Sequence, residues 1–315
     1  MHNILISSVG FGEASPTSLN RIASLGNVSN NVEKIRFNDA LFLEKIVDQD
    51  VLILGTEKIN KEILDRANKL RLIARIGVGL DNIDLKAAFQ KGISICYTPD
   101  APSLSVPEFT LSLILNLIKG ISLSDRHMHQ HTWHRPMGRM LSFMTIGIVG
   151  AGKIGSQVIN LVHNLAPTTK ILFYDTFSEH PYAEKRELAE LFKSSDIVSL
   201  HLPLNKQTTN LINQGLLQQM RPGSFLINTS RGGIVDESAL YFLLKSRYLG
   251  GAAVDVFAAE PYKGKLCELE NCLLTSHLGS MSQEVRALME EQITEDIVRF
   301  LNNQPLLRPV PKTYK

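Results

Sequence analysis

A glycine-rich segment in the middle of the chain has the spacing of a dinucleotide-binding turn. An apolar run ends in Gly150, and Gly152 and Gly155 follow in the pattern G-x-G-x-x-G. Glycine at these positions permits a tight turn, opens the backbone to a pyrophosphate and lets the next helix pack close to the strand. The free N–H groups at the start of that helix favour an anion. The residues expected to bind a dinucleotide here are Gly150, Gly152, Lys153, Ile154 and Gly155.

An acidic residue stands where such a turn requires one. A second apolar run ends in Asp175, which lies 20 residues after Gly155. A carboxylate at this position is expected to bind the adenosine ribose hydroxyls. Thr176 and Phe177 follow without an arginine or lysine that would take a 2′-phosphate, so the sequence predicts NAD over NADP. Glycine patterns alone also occur in structural turns. Here a strand precedes the glycines, a helix follows them and Asp175 stands at the expected distance, which together favour a dinucleotide-binding site.

The composition of the chain excludes several classes of protein. Its 315 residues are enough for two domains, and its formal net charge of +2 makes nucleic acid and membrane surfaces unexpected partners. The three cysteines lack the spacing of a disulfide framework and fit a reducing compartment. The first residues lack the pattern of a signal peptide, and no apolar run approaches the roughly 20 residues of a membrane span. We therefore expect a cytoplasmic protein.

Strand and helix patterns alternate along the chain, which predicts parallel sheets covered by helices on both faces. In the first hundred residues, strands are expected at 3–8, 32–37, 51–54, 72–76 and 93–96. Prolines at 99, 102 and 107 indicate a break, and an apolar helix is expected over about 107–119. The later strands are expected near 145–149, 171–175, 196–200, 224–228, 251–255 and 272–275. One long helix over 282–302 is expected to close the chain.

The glycine-rich segment begins only in mid-chain, which indicates two α/β domains. The chain is expected to leave the first domain near residue 98 and to return to it through the final helix. Residues 1–98 and 283–315 would then form a substrate domain, and residues 99–282 a dinucleotide-binding Rossmann domain. A cleft between two such domains is the natural place for ligands.

Several motifs in order resemble the D-isomer-specific 2-hydroxyacid dehydrogenase family, and in particular its D-3-phosphoglycerate dehydrogenases. The resemblance covers about residues 51–302. The motifs are RIGVGLDNID at 75–84, SVPE at 105–108, HLP at 201–203, NTSRGGIVD at 228–236, DVFAAEP at 255–261 and SHLG at 276–279. The resemblance implies a flavodoxin-like substrate domain, split in sequence, around a continuous Rossmann NAD domain. It also implies an NAD-dependent oxidoreductase for a D-2-hydroxy acid or its 2-oxo acid, usually a dimer through the NAD domain.

The resemblance implies that Arg231, Glu260 and His277 carry the chemistry. Oxidation of a 2-hydroxy acid sends a hydride to nicotinamide, because no side chain can accept it. The hydroxyl proton needs a group that titrates near neutrality, which favours His277, and a carboxylate such as Glu260 would favour the imidazolium. The donor fork of Arg231 suits the substrate carboxylate and can polarise the 2-oxo group. Each residue alone would more often be structural, but the three together, at the ends of successive strands, favour catalysis.

Further site residues are also implied by the resemblance. Those expected beside the cofactor are His201, Pro203, Thr229 and Asp255, the last of them near the nicotinamide carboxamide. Those expected to bind substrate, besides Arg231, are Arg75, Val78 and Gly79. Backbone N–H groups of the 77–79 loop would hold the substrate carboxylate, and the alternative is a plain glycine turn.

Four histidines between residues 127 and 134 allow two interpretations. On one helix His127, His131 and His134 would share a face, which resembles metal-ligand spacing. No catalytic motif depends on them, and in the family this region is an arm at the dimer interface, where Trp133 matches a common aromatic residue. We therefore expect a polar arm and no metal. Whether Arg135 of this arm reaches the site of a neighbouring subunit stays open from the sequence.

Two questions of function stay open from the sequence. Some relatives are NAD-sensing corepressors, but no long disordered extension is expected beyond the compact unit, which disfavours a scaffold. Alignment places Leu54 where the phosphoglycerate enzymes commonly carry an arginine. With one cation missing, 3-phosphohydroxypyruvate is not expected to be the best substrate. The alternative is that Leu54 is a core residue at a strand end.

Overall fold

Two parallel β-sheets organise the chain, in a computed structural model that describes residues 1–311. One unit contains Met1–Leu104 and the segment that begins at Ser280, and the other contains Ser105–Gly279. The domain limits expected from the sequence, at 98 and 282, differ from these by six and three residues. Within the second unit, the Ser105 hydroxyl donates to the Gly279 carbonyl oxygen at 2.8 Å, so its two ends meet.

The first unit contains five parallel strands. They are β1 (His2–Ile6), β2 (Gly26–Ser29), β3 (Val51–Leu54), β4 (Leu72–Arg75) and β5 (Ser94–Tyr97), in the order β2-β1-β3-β4-β5. Four helices connect them, α1 (Pro16–Ala23), α2 (Asp39–Lys45), α3 (Lys61–Arg66) and α4 (Leu85–Gln90). This strand order is that of flavodoxin-like folds and confirms the predicted fold class of this unit.

The prediction of a strand at 32–37 is wrong. The second strand of the sheet lies at Gly26–Ser29, and residues 32–37 contain no regular secondary structure. Val32 is largely exposed, although its spacing from other apolar residues resembles that of a strand. Gly26 pairs with His2, and a Cβ on Gly26 would lie only 2.0 Å from the His2 carbonyl oxygen. Glycine is therefore required by close packing within the sheet, whereas the sequence indicates only a helix end.

Polar side chains begin three of these helices. Each accepts a hydrogen bond from a backbone N–H three residues later at 2.9 Å, in the pairs Asn38–Leu41, Asn60–Ile63 and Asp84–Ala87. The first N–H groups of a helix have no partner within it, and a cap of this kind contributes about 1 kcal/mol. These caps fix where the chain leaves each loop at the edge of the sheet.

The second unit contains seven parallel strands. They are β6 (Thr145–Val149), β7 (Lys170–Tyr174), β8 (Glu184–Lys185), β9 (Ile197–Leu200), β10 (Phe225–Asn228), β11 (Gly251–Val254) and β12 (Cys272–Leu274). Their order is β12-β11-β10-β9-β6-β7-β8, so the succession of strands reverses between β6 and β9. In such Rossmann sheets, ligands bind at the carboxyl ends of the strands at this reversal. The two-residue strand β8 is not expected from the sequence, because it is short and charged.

Six helices accompany this unit. They are α5 (Pro102–Lys119), α6 (Ile121–His129), α7 (Lys153–Leu165), α8 (Leu188–Ser194), α9 (Gln214–Leu217) and α10 (Glu237–Lys245). The chain passes from the first unit to the second between Leu104 and Ser105, inside the stretch 97–107 where the prolines indicate a break. The expected start of the helix is wrong, because α5 begins at Pro102 and contains Pro107. Proline is tolerated at the first position of a helix, where its missing N–H has no helical partner, which accounts for Pro102. Pro107 lies in the second turn, inside the helix.

Helix α11 (Gln283–Leu301) belongs to the first unit and agrees with the helix predicted over 282–302. Its buried residues Val285, Met289, Ile293 and Ile297 follow at intervals of four, which places them on one face. The carboxylate of Glu290 is fully buried and accepts the N–H groups of Gly12 at 3.0 Å and Ser15 at 3.2 Å. Arg286 Nε donates to the same carboxylate at 2.8 Å.

No single helix among residues 1–311 is long and apolar enough to cross a membrane. Helices α5 and α6 reach that composition only together, and the chain bends by 65° between them. Leu113, Ile114 and Ile118 of α5 are buried in the core of the second unit.

Candidate functional site

The glycine-rich turn joins β6 to α7 where the strand succession reverses. Gly150 has a φ of +92°, and a Cβ there would lie 2.4 Å from the His201 carbonyl oxygen. A Cβ on Gly155 would lie 1.9 Å from the Gly150 carbonyl oxygen, so the helix packs directly on the turn. A Cβ on Gly152 would meet nothing within 4 Å. Packing thus requires the first and third glycines, and the backbone is open at the second, just before Lys153 and Ile154 begin α7.

Asp175 ends β7 and is tied to the glycine-rich turn. Its carboxylate accepts three backbone N–H groups, from Ala151 at 2.8 Å, Phe177 at 2.8 Å and Ser178 at 2.9 Å. Partial burial acts to raise the pKa of Asp175, but these N–H donors outweigh it and lower the pKa. The carboxylate is therefore ionised near neutral pH and keeps lone pairs for hydroxyl donors.

His201 follows β9 and faces the same turn through its backbone. Its ring Nε2 lies 2.9 Å from the Ser199 hydroxyl, and its Nδ1 is buried without a hydrogen-bond partner among residues 1–311. Burial lowers the pKa of His201 to about 3, so the ring is neutral. Two residues on, the Pro203 carbonyl oxygen accepts the Thr208 hydroxyl at 2.6 Å. An unpartnered buried nitrogen beside an open glycine turn fits a site built for a polar ligand.

The three residues implied in catalysis follow three neighbouring strands. Arg231 follows β10, Glu260 follows β11 and His277 follows β12. His277 Nδ1 lies 3.1 Å from Glu260 Oε2 and 3.2 Å from Oε1, and both side chains are partly exposed. A ring held at Nδ1 by a carboxylate directs Nε2 towards a ligand, which is the arrangement of an acid/base histidine.

Asp255 positions the loop that carries His277. Its buried carboxylate accepts the Thr275 hydroxyl at 2.6 Å, the Leu278 N–H at 2.7 Å and the Gly279 N–H at 3.0 Å. The Asp255 carbonyl oxygen also accepts the His277 N–H at 2.9 Å. This positioning role is not expected from the sequence, which suggests only proximity to the nicotinamide.

Gly232 brings the loops after β10 and β11 together. A Cβ there would lie 1.9 Å from the carbonyl carbon and oxygen of Phe257, so any other residue would force the two loops apart. Arg231 directly precedes this contact, and Phe257 donates its N–H to Glu260 Oε1 at 3.2 Å. The importance of Gly232 is missed by sequence reasoning, although its place in the Arg-Gly-Gly run is a signal.

Thr229 and Arg231 lie on the same short stretch after β10. The Thr229 hydroxyl is buried 2.9 Å from the Thr110 hydroxyl of α5. The Arg231 guanidinium donates from one terminal nitrogen to the Ser230 carbonyl oxygen at 2.6 Å. These contacts fix the stretch at the carboxyl edge of the sheet.

In the first unit, Arg75 orders the loop that follows it. Its side chain is only 6% exposed, and its Nε donates to the Gly79 carbonyl oxygen at 3.1 Å. Gly77 has a φ of +131°, and its N–H donates to the Thr98 hydroxyl at 2.7 Å. Val78 and Gly79 remain partly exposed at this turn.

Two expectations from the sequence change with the structure. Leu54 is fully buried in the core of the first unit, in agreement with its alternative interpretation, so it carries no argument about a missing cation. Helix α6 ends at His129, and His131 has a left-handed φ of +56°, so His127, His131 and His134 do not share a helical face. The rings of His127 and His134 lie 4.6 Å apart, and residues 1–311 contain no group of three or more potential metal ligands.

Residues 111–279 match the NAD binding domain of the D-isomer specific 2-hydroxyacid dehydrogenases. This match covers more than half of the chain. The chain belongs to this family. This match confirms the predicted Rossmann NAD-binding domain. It also confirms that the cofactor is a nicotinamide dinucleotide.

Curated relatives of this 2-hydroxyacid dehydrogenase carry two different names. A glyoxylate reductase of Thermococcus litoralis is 35% identical over 281 residues, which cover 84% of each chain. A D-3-phosphoglycerate dehydrogenase of Synechocystis is 33% identical over 281 residues, which are 86% of this chain but 50% of the relative. This chain thus spans about half the length of the phosphoglycerate enzyme. Both names confirm the predicted class of reaction.

Two solved structures match this chain over nearly its whole length. A protein of Thermus thermophilus is 30% identical with a TM-score of 0.87, and the match covers 98% of this chain and 100% of that one. The D-lactate dehydrogenase of Aquifex aeolicus, complexed with NAD and lactic acid, is 26% identical with a TM-score of 0.82 and a coverage of 96% for both chains.

Proposed function

We propose that this 2-hydroxyacid dehydrogenase reduces a short, unphosphorylated 2-oxo acid with NADH and oxidises the D-2-hydroxy acid in reverse. The contact between His277 and Glu260 carries the proposal. It supplies an oriented acid/base at the sheet edge that also holds the glycine-rich turn. Nicotinamide, when bound, supplies the hydride that no side chain can provide.

The catalytic residues divide the work between them. In reduction, His277 gives the proton from Nε2 to the 2-oxo oxygen, and in oxidation it takes that proton back. Glu260 holds the ring at Nδ1 and stabilises the imidazolium. Arg231 binds the substrate carboxylate and polarises the carbonyl with its planar donor fork. Gly232 keeps the Arg231 loop against the Glu260 loop.

The cofactor residues are proposed on the geometry of the glycine-rich turn. Gly150, Gly152 and Gly155 form the pyrophosphate-binding turn, with Lys153 and Ile154 in the first turn of α7. The residues further along the sheet edge that are proposed to contact NAD are His201, Pro203, Thr229 and Asp255. The ionised carboxylate of Asp175 would repel a 2′-phosphate, which supports NAD over NADP. A preference for NADPH of tenfold or more in kcat/KM would contradict this.

The roles of the two domains are part of the proposal. Residues 99–282 are proposed to bind NAD, and residues 1–98 with 283–315 to bind substrate. The backbone N–H groups of Val78 and Gly79 would hold the substrate carboxylate, on a loop that Arg75 orders. The ordered turn and its partial exposure support this assignment.

The substrate class is supported by the relatives named glyoxylate reductase. Those of three archaea are 35–36% identical over 82–84% of this chain. The second candidate is 3-phosphohydroxypyruvate, the 2-oxo acid that corresponds to 3-phosphoglycerate. It is favoured by the relatives named D-3-phosphoglycerate dehydrogenase. The test is NADH oxidation with glyoxylate, pyruvate, hydroxypyruvate and 3-phosphohydroxypyruvate. The highest kcat/KM is expected for an unphosphorylated acid, and a low-micromolar KM for 3-phosphohydroxypyruvate alone would contradict the assignment.

The same screen separates an enzyme from a cofactor sensor. An enzyme of this class turns over about once per second or faster with a good substrate. Tight NADH binding without turnover on any 2-oxo acid would instead indicate a corepressor-like protein. Chiral analysis of the lactate or glycerate formed from pyruvate or hydroxypyruvate decides the D configuration, since glycolate has no stereocentre.

We also propose a homodimer through the segment 131–143. Trp133, Met137 and Phe143 are 78%, 99% and 80% exposed, which is unusual for side chains of this size. The segment is nevertheless held in place, since Arg139 donates its N–H to the Ile118 carbonyl oxygen at 2.7 Å.

A cytoplasmic location is proposed on the free thiols of Cys96, Cys267 and Cys272, and cell fractionation tests it.

A further inference from the structure

A pocket of about 540 Å³ opens beside Asp175 in the second unit. Its lining residues are Tyr174, Asp175, Thr176, Lys185, Arg186, Glu187 and Glu190. The short strand β8 pairs in parallel with β7, so its carboxyl end emerges at the same edge as Asp175. Lys185 and Arg186 therefore line the same pocket as Asp175. The sequence alone suggests no cation beside Asp175, because Lys185 comes ten residues later in the chain.

The two cations are held by contacts that a stronger anion can replace. Lys185 Nζ lies 3.1 Å from Glu179 Oε1 and 3.2 Å from the Ser178 carbonyl oxygen, and Arg186 pairs with Glu184. The Lys185 and Arg186 side chains are 39% and 42% exposed. Exposed ion pairs are worth about 0–1 kcal/mol, whereas a phosphate offers three charged acceptor oxygens.

Asp175 is the group that opposes an anion at the mouth of this pocket. Its three backbone N–H donors fix the carboxylate there, and they keep it ionised. Glu187 and Glu190 add negative charge to the lining. Without Asp175 the lining would hold two carboxylates and two cations, and a phosphate would compete only with Glu179 and Glu184 for those cations.

We propose that Lys185 and Arg186 form a latent binding site for the 2′-phosphate of NADPH, which the charge of Asp175 keeps closed. This rests on the proposed function, since it assumes that adenosine binds at Asp175. The preference for NADH over NADPH would then depend on the charge of Asp175, because Lys185 and Arg186 already line the pocket.

Binding of adenosine 2′,5′-bisphosphate, compared with ADP, tests the proposal without turnover. Asp175→Ser is expected to tighten the bisphosphate by about tenfold or more, as measured by calorimetry, because a charge-assisted pair is worth about 1.5–3 kcal/mol. Adding Lys185→Gln and Arg186→Gln is expected to remove that gain. The matched control adds Lys170→Gln instead, since Lys170 pairs with the same Glu184 at 3.6 Å but does not line the pocket. The control is expected to keep the gain.

Each outcome decides the proposal. A gain that survives the loss of both cations, or no gain in Asp175→Ser, would overturn it. Should the serine loosen the turn, Asp175→Asn keeps one oxygen that can accept the Phe177 and Ser178 N–H groups and gives the same test. Failure of the native protein to bind ADP and NADH would instead contradict the proposed function.

Discussion

His277 has a left-handed backbone, with a φ of +58°, which residues other than glycine rarely adopt. Such a conformation persists only where its surroundings hold it, and here Asp255 does so through the flanking N–H groups. The ring thereby faces Glu260 without depending on its own backbone preference. At the scale of single residues, the candidate site is thus a histidine that two carboxylates hold, one at its ring and one at its backbone.

Replacing His277 tests its role as the acid/base. His277→Ala is expected to lower kcat by about 10²–10⁴-fold, because a positioned proton donor is typically worth that much. The NADH dissociation constant is expected to change less than threefold by fluorescence titration. His129→Gln, on the exposed end of α6, is the matched histidine control and should keep full activity. Wild-type kcat in His277→Ala would remove the residue from the mechanism.

Asp255→Asn tests the loop that carries His277. One carboxylate oxygen becomes an NH₂ donor that faces existing donors, and a buried mismatch of this kind costs about 1–3 kcal/mol. We expect a lower midpoint in thermal unfolding and a reduced kcat. Thr275→Val removes only one of the donors and should lose less of both. Equal effects of the two substitutions would mean that Asp255 does not organise the loop.

At the scale of elements, α11 fastens the loop after β1 through a buried carboxylate. Glu290 accepts the N–H groups of Gly12 and Ser15. It also pairs with Arg286, which lies one turn earlier on the same helix. Arg286 in turn donates to the Ser8 hydroxyl at 3.0 Å. The carboxyl end of β1 therefore depends on residues from the other end of the chain.

Glu290→Ala is expected to lower the free energy of unfolding of the first unit by about 3–5 kcal/mol. The removal of one partner leaves Arg286 and two backbone N–H groups without the carboxylate. Urea unfolding followed by circular dichroism measures the change. Glu291→Ala, exposed on the same helix, is the control and should cost less than about 1 kcal/mol. If the two variants unfold at the same urea concentration, Glu290 does not anchor the loop.

The elements show how far the sequence can predict this protein. Apolar runs bounded by Asn or Asp caps place most strands and helices, because local signals determine them. The sequence predicts the second strand at the wrong residues and does not predict β8. Both strands are stabilised by pairing with a neighbouring strand, and their own composition gives no strand signal. Helix α5 extends through prolines that the sequence suggests would break it.

The candidate site follows the same division. The glycine spacing and Asp175 can be interpreted locally, while Arg231, Glu260 and His277 rest on the resemblance to the family. The positioning roles of Gly232 and Asp255, and the place of Lys185 beside Asp175, depend on contacts between distant parts of the chain. For Gly232 the Arg-Gly-Gly run is a local signal, whereas spacing along the sequence carries none for Asp255 or Lys185.

At the scale of the whole molecule, the exposed segment 131–143 predicts self-association. Trp133→Glu combined with Met137→Glu is expected to convert a dimer into a monomer, since two charges would enter an apolar contact. Light scattering coupled to gel filtration measures the mass. Val32→Glu, an exposed apolar residue of the first unit, is the control and should leave the mass unchanged. A dimer that survives the double substitution would place the interface elsewhere.

The hydrogen bond between Ser105 and Gly279 has a consequence for the order of folding. The second unit is one continuous segment, whereas the first unit is formed by two segments that lie on either side of it in the sequence. Once it folds, its two ends lie side by side, and residues 104 and 280 are brought together. The first unit then closes across a short gap instead of a free loop of 175 residues, which reduces the entropy lost on closure. Folding of the continuous unit therefore lowers the entropy cost of completing the divided one.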